Sequence, residues 1–493
     1  MLPEFQLQTL WSNPNFLAAG AVVLVILVQS LYEKRKRVSE GRAPMVSHLI
    51  PWVGSALEIG GDPDAFFNRA QRKYGDMFTM KAFGRVVTYV VSPSLISEIY
   101  RNAQVYDFER FRVTAAVDCF DIPASLMKSE VTSKVLHPAQ HKYLSPTGII
   151  PIIESYTTAV WDLLEREGSS FEDVSTPLRN FILPVLYQAS AYAFFGRSYP
   201  VVESYEPFND FDRTFHLLLA GVPRFFLRKH TKGLATLHRL FEKYFDGPHD
   251  DASEMVLENE RVMRSHGYDS NAVGTFFASF LFALMANAPN AGYWLIVLNL
   301  QREDGLQPLT DEIDEAVASW KQQNPGQQIE DHLHDFVSTA ELPLLASTIQ
   351  ETLRYAASVM SIRRVTEPVE FGGYRFNKDD EIVCLTRSVH LDEEIHENAS
   401  VYDPRRYMTQ KRPTKNGKIV ANHSMPWGGG VSMCEGRHFA NRELKAFVVF
   451  LLMRYTVEID SKSAERPTFI SERVGAGVMH PRGDLRVIIH ARK

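Results

Sequence analysis

The stretch Trp427 to Ala440 reads Trp-Gly-Gly-Gly-Val-Ser-Met-Cys-Glu-Gly-Arg-His-Phe-Ala and constrains the chain more than any other. Three successive glycines ahead of a lone cysteine, and Gly436 two residues after it, let the backbone pass close to something flat and leave Cys434 exposed on a tight loop. From Arg437 onward, Phe439, Ala440, Leu444, Phe447, Val448, Leu451 and Leu452 recur at spacings of three and four, which predicts a buried helix. Cys434 therefore precedes a helix N-terminus, where backbone N–H groups and the helix dipole favour a negative sulfur. A phosphate cradle fits poorly, because no Lys-Ser or Lys-Thr follows the glycines. Zinc held by His423, Cys434 and His438 lacks the Cys-x-x-Cys pair that would complete its site.

Composition removes other classes. The 493 residues carry a net charge of −6, so no basic field for nucleic acid exists. The three cysteines, Cys119, Cys384 and Cys434, form no disulfide framework and point to a reducing compartment for the bulk of the chain.

Phe16 to Val28 is a run of thirteen apolar or small residues, and Lys34-Arg35-Lys36-Arg37 follows closely. It is short against the roughly 20 residues that cross a bilayer, but Leu10 and Trp11 extend it at the interface. A cleaved signal peptide needs positive charge ahead of the apolar run, and nothing basic precedes Lys34. The expectation is an uncleaved anchor with the remainder cytosolic by the positive-inside rule. Pro44, Pro51, Gly54, Gly60 and Gly61 then mark a stiff turning linker, and Phe78 to Val91 reads as a hairpin around Gly84. No internal repeat appears. The longest apolar run of the body, Asn271 to Leu300, is long enough for a second membrane span. Asn287 and Asn290, flanking Pro289 near its centre, are costly in lipid, so a core helix bent at Pro289 is the better reading.

The cysteine loop resembles that of the cytochrome P450 family, in which an aromatic, two residues, glycine, three residues, cysteine, one residue and glycine follow in order. Trp427, Gly430, Cys434 and Gly436 take those places. The resemblance extends from anchor to last strand, and it implies a mostly α fold with a small β subdomain. It also implies heme b, iron protoporphyrin IX, with Cys434 as axial ligand of the iron. Ser432 stands where the family commonly has arginine or histidine, whereas Arg363 matches the arginine that binds a heme propionate and compensates in part. Glu351-Thr-Leu-Arg354 alone would be a surface pair at i, i+3. With Asp403-Pro404-Arg405-Arg406-Tyr407 following at the family's distance, Glu351, Arg354 and Arg406 match a structural cluster that holds the cysteine loop.

In the family, the long central helix crosses the face of the heme opposite the cysteine and usually carries an acid and a threonine. Phe282 to Trp294 has neither. It resembles the branch containing sterol 7-alpha- and 12-alpha-hydroxylases and prostacyclin synthase, with Asn287 standing in as the catalytic residue of that helix. Arg473 to Pro481 resembles the turn before the last strand in the same branch.

The implied organisation is an anchor with its basic stop at 1–37, a linker at 38–63 and a heme-thiolate domain at 64–493, in the endoplasmic reticulum membrane. The implied reaction is monooxygenation with O2 and electrons from NADPH through a P450 reductase. Phe282, Met285, Ala286, Met360 and Met479 would line a pocket for an apolar, terpenoid or sterol-like substrate of secondary metabolism. The alternatives are a heme-thiolate isomerase or dehydratase needing no reductase, and a non-heme protein in which both apolar runs span the membrane.

Overall fold

The computed structural model describes residues 14–48, 50, 52–409, 412–463 and 466–492. Leu10 and Trp11, expected at a bilayer interface, and Pro51 of the linker lie outside them. The chain divides into two compact units, residues 1–108 with 360–389 and residues 109–359 with 390–493.

The first unit is built on a sheet. Met77–Ala82 pairs antiparallel with Arg85–Val90 as the predicted hairpin, turning at Phe83 and Gly84. Arg85–Val90 then runs parallel to Glu381–Leu385, with Val87 opposite Glu381. Glu381–Leu385 is antiparallel to residues 360–364 of the strand Ala357–Val365, and Tyr106–Asp107 closes that edge. Phe66, Phe67, Phe78, Tyr89 and Val383 fill the core beneath it. The linker is part of this sheet: the Val46 N–H donates to the Thr79 carbonyl and the Thr79 N–H to the Pro44 carbonyl, at 2.8 and 2.7 Å. Gly54 has φ +60°, and a Cβ there would stand 1.8 Å from the Lys81 carbonyl, so only glycine lets the linker approach.

The N-terminal run forms the 26-residue helix Pro14–Ser39, which leaves Val25, Val28, Leu31 and Tyr32 exposed. Its basic end is bound to the sheet. Arg37 Nη2 donates to Thr79 Oγ1 at 2.8 Å.

The second unit is helical. Ile150–Phe171 packs between Leu178–Phe195 and Arg437–Arg454, and Ser270–Met285 packs along Arg228–Asp246. Small antiparallel pairs complete it: Tyr455–Ile459 with Arg486–Ala491, Thr468–Phe469 with Pro481–Arg482, and Ala476–Val478 with residues 357–359.

The 271–300 run departs from the expectation of one bent helix. It is two helices, Ser270–Met285 and Ala288–Leu300, interrupted at Ala286 and Asn287. Proline lacks the N–H that would reach back to Met285, so the helix stops three residues ahead of Pro289 and restarts with it in the first turn, where that N–H is not needed. Every residue of Ala288–Leu300 is buried, as in a core helix rather than one facing lipid. A Cβ on Gly292 would lie 2.6 Å from Leu186 Cδ1, so glycine sets how closely this helix meets Leu178–Phe195.

Candidate functional site

The cysteine loop is shaped by its glycines and closed by its own backbone. Gly428 and Gly430 take φ of 70° and 62°, left-handed conformations that other residues adopt only with strain. The Cys434 N–H donates to the Trp427 carbonyl at 2.9 Å, so the aromatic that opens the loop also closes it. Ser432 Oγ donates to the Gly429 carbonyl at 3.0 Å. Arg437–Arg454 begins immediately after Gly436.

Of the three cysteines, Cys434 is exposed and the others are buried. Burial pushes the Cys119 thiol up to about 11 and the Cys384 thiol up to about 12, so neither ionises near neutral pH. Cys434 is reachable, yet protein surrounds it on most sides. Burial is the larger influence and raises its thiol, while the backbone amides of Gly436 and Arg437, aimed at the sulfur, pull it down. The helix start alone is therefore not enough to make the free thiol acidic. A metal cation at the sulfur would reverse that balance, because a coordinating thiol is deprotonated outright.

Behind the loop lies a buried ion cluster. Arg354 Nε and Nη2 donate to the two oxygens of Glu351 at 2.7 and 2.8 Å, and Arg406 Nε donates to Glu351 Oε2 at 3.0 Å. Arg354 Nη1 also donates to the His390 carbonyl at 2.6 Å, and His390 Nε2 accepts the Met425 N–H at 2.8 Å. Met425 in turn accepts the Gly428 N–H. The cluster is thus connected by hydrogen bonds to the first residues of the cysteine loop.

An apolar cavity of about 220 Å³ lies between the cysteine loop and the central helix. Ala283, Leu284 and Ala288 line one side, and Gly436, Phe439 and Ala440 another. Ala283, Ala288, Gly436 and Ala440 keep this slot open, and Gln140, Glu435 and Glu443 add polar groups to its mostly apolar lining. Among the described residues no group of three or more His, Cys, Asp or Glu side chains is placed to hold a bare metal ion.

The cytochrome P450 family profile matches residues 44–287 and 275–487. The chain belongs to the cytochrome P450 family. It is 26% identical over 478 residues to cytochrome P450 7A1 of Oryctolagus cuniculus, covering 92% of this chain and 93% of that one. It is 24% identical to 7-alpha-hydroxycholest-4-en-3-one 12-alpha-hydroxylase of Homo sapiens, over 90% and 92% of the two chains. Prostacyclin synthase of Rattus norvegicus is 25% identical, over 92% and 94%. Among solved structures, retinoic acid-bound cyanobacterial CYP120A1 superposes with a TM-score of 0.69 at 16% identity, covering 92% of this chain and 99% of that one. The P450 family implies a heme cofactor, and the slot, the reachable Cys434 and the amides of 436 and 437 fit a cysteine-ligated heme.

In this P450, Trp427, Gly430, Cys434 and Gly436 lie on the one tight loop that precedes Arg437–Arg454. Arg363 belongs to the first unit. It is 1% exposed, donates through Nη1 to Ser361 Oγ at 2.8 Å and lies over the rings of Tyr100 and Phe108. Asn287, at the helix break, accepts the Val478 N–H through Oδ1 at 2.8 Å, so its oxygen binds the last hairpin to the break. Of the expected pocket residues, Met285, Ala286 and Met479 are buried, Phe282 is half-buried and Met360 packs on the core of the first unit.

Two features escaped the sequence. One is the set of buried polar groups around His480, whose members lie far apart along the chain. The other is Glu443, masked because an acid at a core position of a periodic helix reads as surface. Its Oε2 accepts from Ser190 Oγ at 2.7 Å, Oε1 has no partner among the described residues, and burial pushes its carboxyl up to about 8. An acid whose folded value lies above its ordinary 4.5 contributes stability fully below that value and loses it as pH rises to about 8. Glu443→Gln should therefore flatten the fall in unfolding free energy between those pH values, worth up to ~1.4 kcal/mol per pH unit. Denaturant unfolding of both proteins across that range measures it, and equal slopes would show that Glu443 is not the titrating group.

Proposed function

We propose that this chain is a membrane-anchored heme-thiolate monooxygenase that hydroxylates an apolar, terpenoid or sterol-like substrate, with electrons from NADPH through a P450 reductase. The observation that carries the reading is the reachable Cys434 beside an apolar slot, in a chain whose relatives include enzymes named as sterol hydroxylases. When bound, the heme supplies the oxygen-activating chemistry. The chain's residues hold and surround it. Cys434 would ligate the iron, with the amides of Gly436 and Arg437 stabilising its negative charge, and the family pattern assigns Arg363 to a heme propionate.

The substrate class is taken from the sterol hydroxylases among the relatives, and an aromatic cluster beside the central helix supports it. Phe282 lies 4.2 Å from Phe215, 5.2 Å from Phe120 and 5.6 Å from Phe211 between ring centroids, an assembly suited to a rigid hydrocarbon skeleton. Asn287 is the residue we assign to proton handling: its oxygen is bound to Val478, and its NH2 is left to orient a water.

Replacing Cys434 with alanine should abolish the reduced carbon-monoxide band of thiolate-bound heme while Cys119→Ala and Cys384→Ala keep it, and a surviving band sinks the assignment. Asn287→Ala should retain heme and substrate but lower product per NADPH by about tenfold or more, with hydrogen peroxide released instead. A purely structural Asn287 would lose stability with product per NADPH unchanged. Wild-type turnover without reductant would replace the monooxygenase by an isomerase or dehydratase.

The helix Pro14–Ser39 supports the anchor, since its 26 residues span about 39 Å against the roughly 30 Å of a bilayer core. By the positive-inside rule its basic C-terminal end would keep the rest of the chain cytosolic, and we assign the anchor to the endoplasmic reticulum membrane. Removing residues 1–37 should release the protein from membranes only in part in carbonate extraction, because Trp52, Leu57 and Phe83 also present apolar surface. Retention as firm as that of the full chain would count against the anchor.

A further inference from the structure

The break in the central helix keeps the backbone bonds Ala286 N–H to Phe282 and Ala291 N–H to Asn287, and side chains brace the carbonyl between them. The Ala286 carbonyl accepts from Asn290 Nδ2 at 3.2 Å and lies 3.3 Å from His480 Nε2. The same His480 nitrogen lies 3.3 Å from Asp212 Oδ2, and Asp212 is bound in turn by Arg473 Nη2 through Oδ1 at 2.8 Å. Trp294 Nε1 donates to the Met479 carbonyl at 2.6 Å, which fixes the backbone next to His480. The imidazole thus bridges a buried carboxylate and the one opening in the central helix. Its side chain is 14% exposed, enough for water to reach it.

The central helix has no acid or threonine between Phe282 and Trp294, and the hydroxyl of its Tyr293 is committed to Asp484 at 3.0 Å. We propose that His480, backed by Asp212, relays protons to the helix break and serves as the positioning residue that the helix itself lacks. This rests on the monooxygenase reading, because reduction of O2 to one water and one hydroxyl group consumes two protons and an isomerisation consumes none.

The transfer balances without an added oxidant or reductant. Nε2 gives its proton to a water at the Ala286–Asn287 break while Nδ1 takes one from a water on the other side of the ring. Transfer of the Nδ1 proton through water back to Nε2 restores the starting tautomer, and no electrons move. The groups facing His480 come from three elements: Asp212 and His216 on Val201–Leu219, Arg473 on the turn before the hairpin, and Arg179 on Leu178–Phe195. Asp212 favours the charged ring, and Arg473 and Arg179 oppose it. Burial outweighs them all and brings the imidazole down to about 4, so it is neutral at pH 7 and able both to donate and to accept. His216 is likewise brought down to about 4 by burial, which leaves the Asp212–Arg473 pair as the fixed charges of the cluster.

The test uses the full-length holoenzyme with its reductase. His480→Gln keeps an N–H for the Ala286 carbonyl but cannot take up and release protons. It should bind heme and substrate like the wild type and yield at least about tenfold less product per NADPH, the missing electrons appearing as hydrogen peroxide. His480→Ala should show the same loss with lower thermal stability. A readout independent of turnover comes from nitrogen-15 spectra of histidine-labelled, reduced, carbon monoxide-bound enzyme, assigned by the signal missing in His480→Gln. His480 should be neutral at pH 7 with its proton on Nε2. Product per NADPH unchanged in His480→Gln, or an imidazolium or an Nδ1–H tautomer at pH 7, overturns the relay. Wild-type turnover without reductant overturns the underlying reaction instead, and is distinguished from these by needing no variant.

Discussion

The bond on which the cysteine loop depends is the one between Glu351 and Arg354. Both side chains are fully buried, and removing one member of such a pair would cost roughly 3–5 kcal/mol, because the other charge is left without water or partner. The pair is tolerated because nearly every polar atom is used. Glu351 takes both arginines and the Asp403 N–H, and Arg354 also reaches the His390 and Ala399 carbonyls. The cluster therefore sets the path of the irregular segment 390–409, which has little regular structure of its own, and through His390 and Met425 it sets the start of the cysteine loop. A loop rich in glycine has many conformations available, and its shape has to be imposed from outside.

The opposite wall of the site uses another device. The central helix is broken, and the Ala286 carbonyl freed there accepts from Asn290 and lies against His480, while the Val478 amide bonds the Asn287 side chain. The Ala286 carbonyl is buried and needs a partner, and the last hairpin supplies one at the break. Gly477 permits this: with φ +105°, a Cβ there would meet Asn287 Oδ1 at 2.0 Å. The same hairpin contacts Val201–Leu219 through Arg473 and Asp212, so that helix and the break in the central helix share one polar network.

Much of the site was legible in sequence for a physical reason. A tight loop needs glycines at set positions and a thiolate ligand needs a reachable cysteine, and both needs are met within fourteen consecutive residues from Trp427 to Ala440. Glu351 and Arg354 were also local, being three residues apart on a helix, although Arg406 could be joined to them only through the family pattern. The central run was legible as a buried helix and misjudged in its detail. Proline marks where a helix is weak, but whether the chain bends or breaks depends on what is nearby to accept the freed groups, and here those partners come from residues 478–480.

What the sequence by itself determined is the set of local commitments: the glycine-shaped cysteine loop, the helix that follows it, the apolar N-terminal helix with its basic end, and the hairpin at residues 77–90. Each depends on neighbours within a few residues, so periodicity and turn chemistry suffice to read it. The tertiary structure decided the pairings across long distances. Arg85–Val90 runs parallel to Glu381–Leu385, Glu443 meets Ser190 inside the core, and Asp212, Arg473 and His480 converge on Ala286. None of these carries a local signal, because an isolated Asp, Arg or His in a sequence looks like solvated surface. Only burial, which requires each to find a partner, turns them into a network.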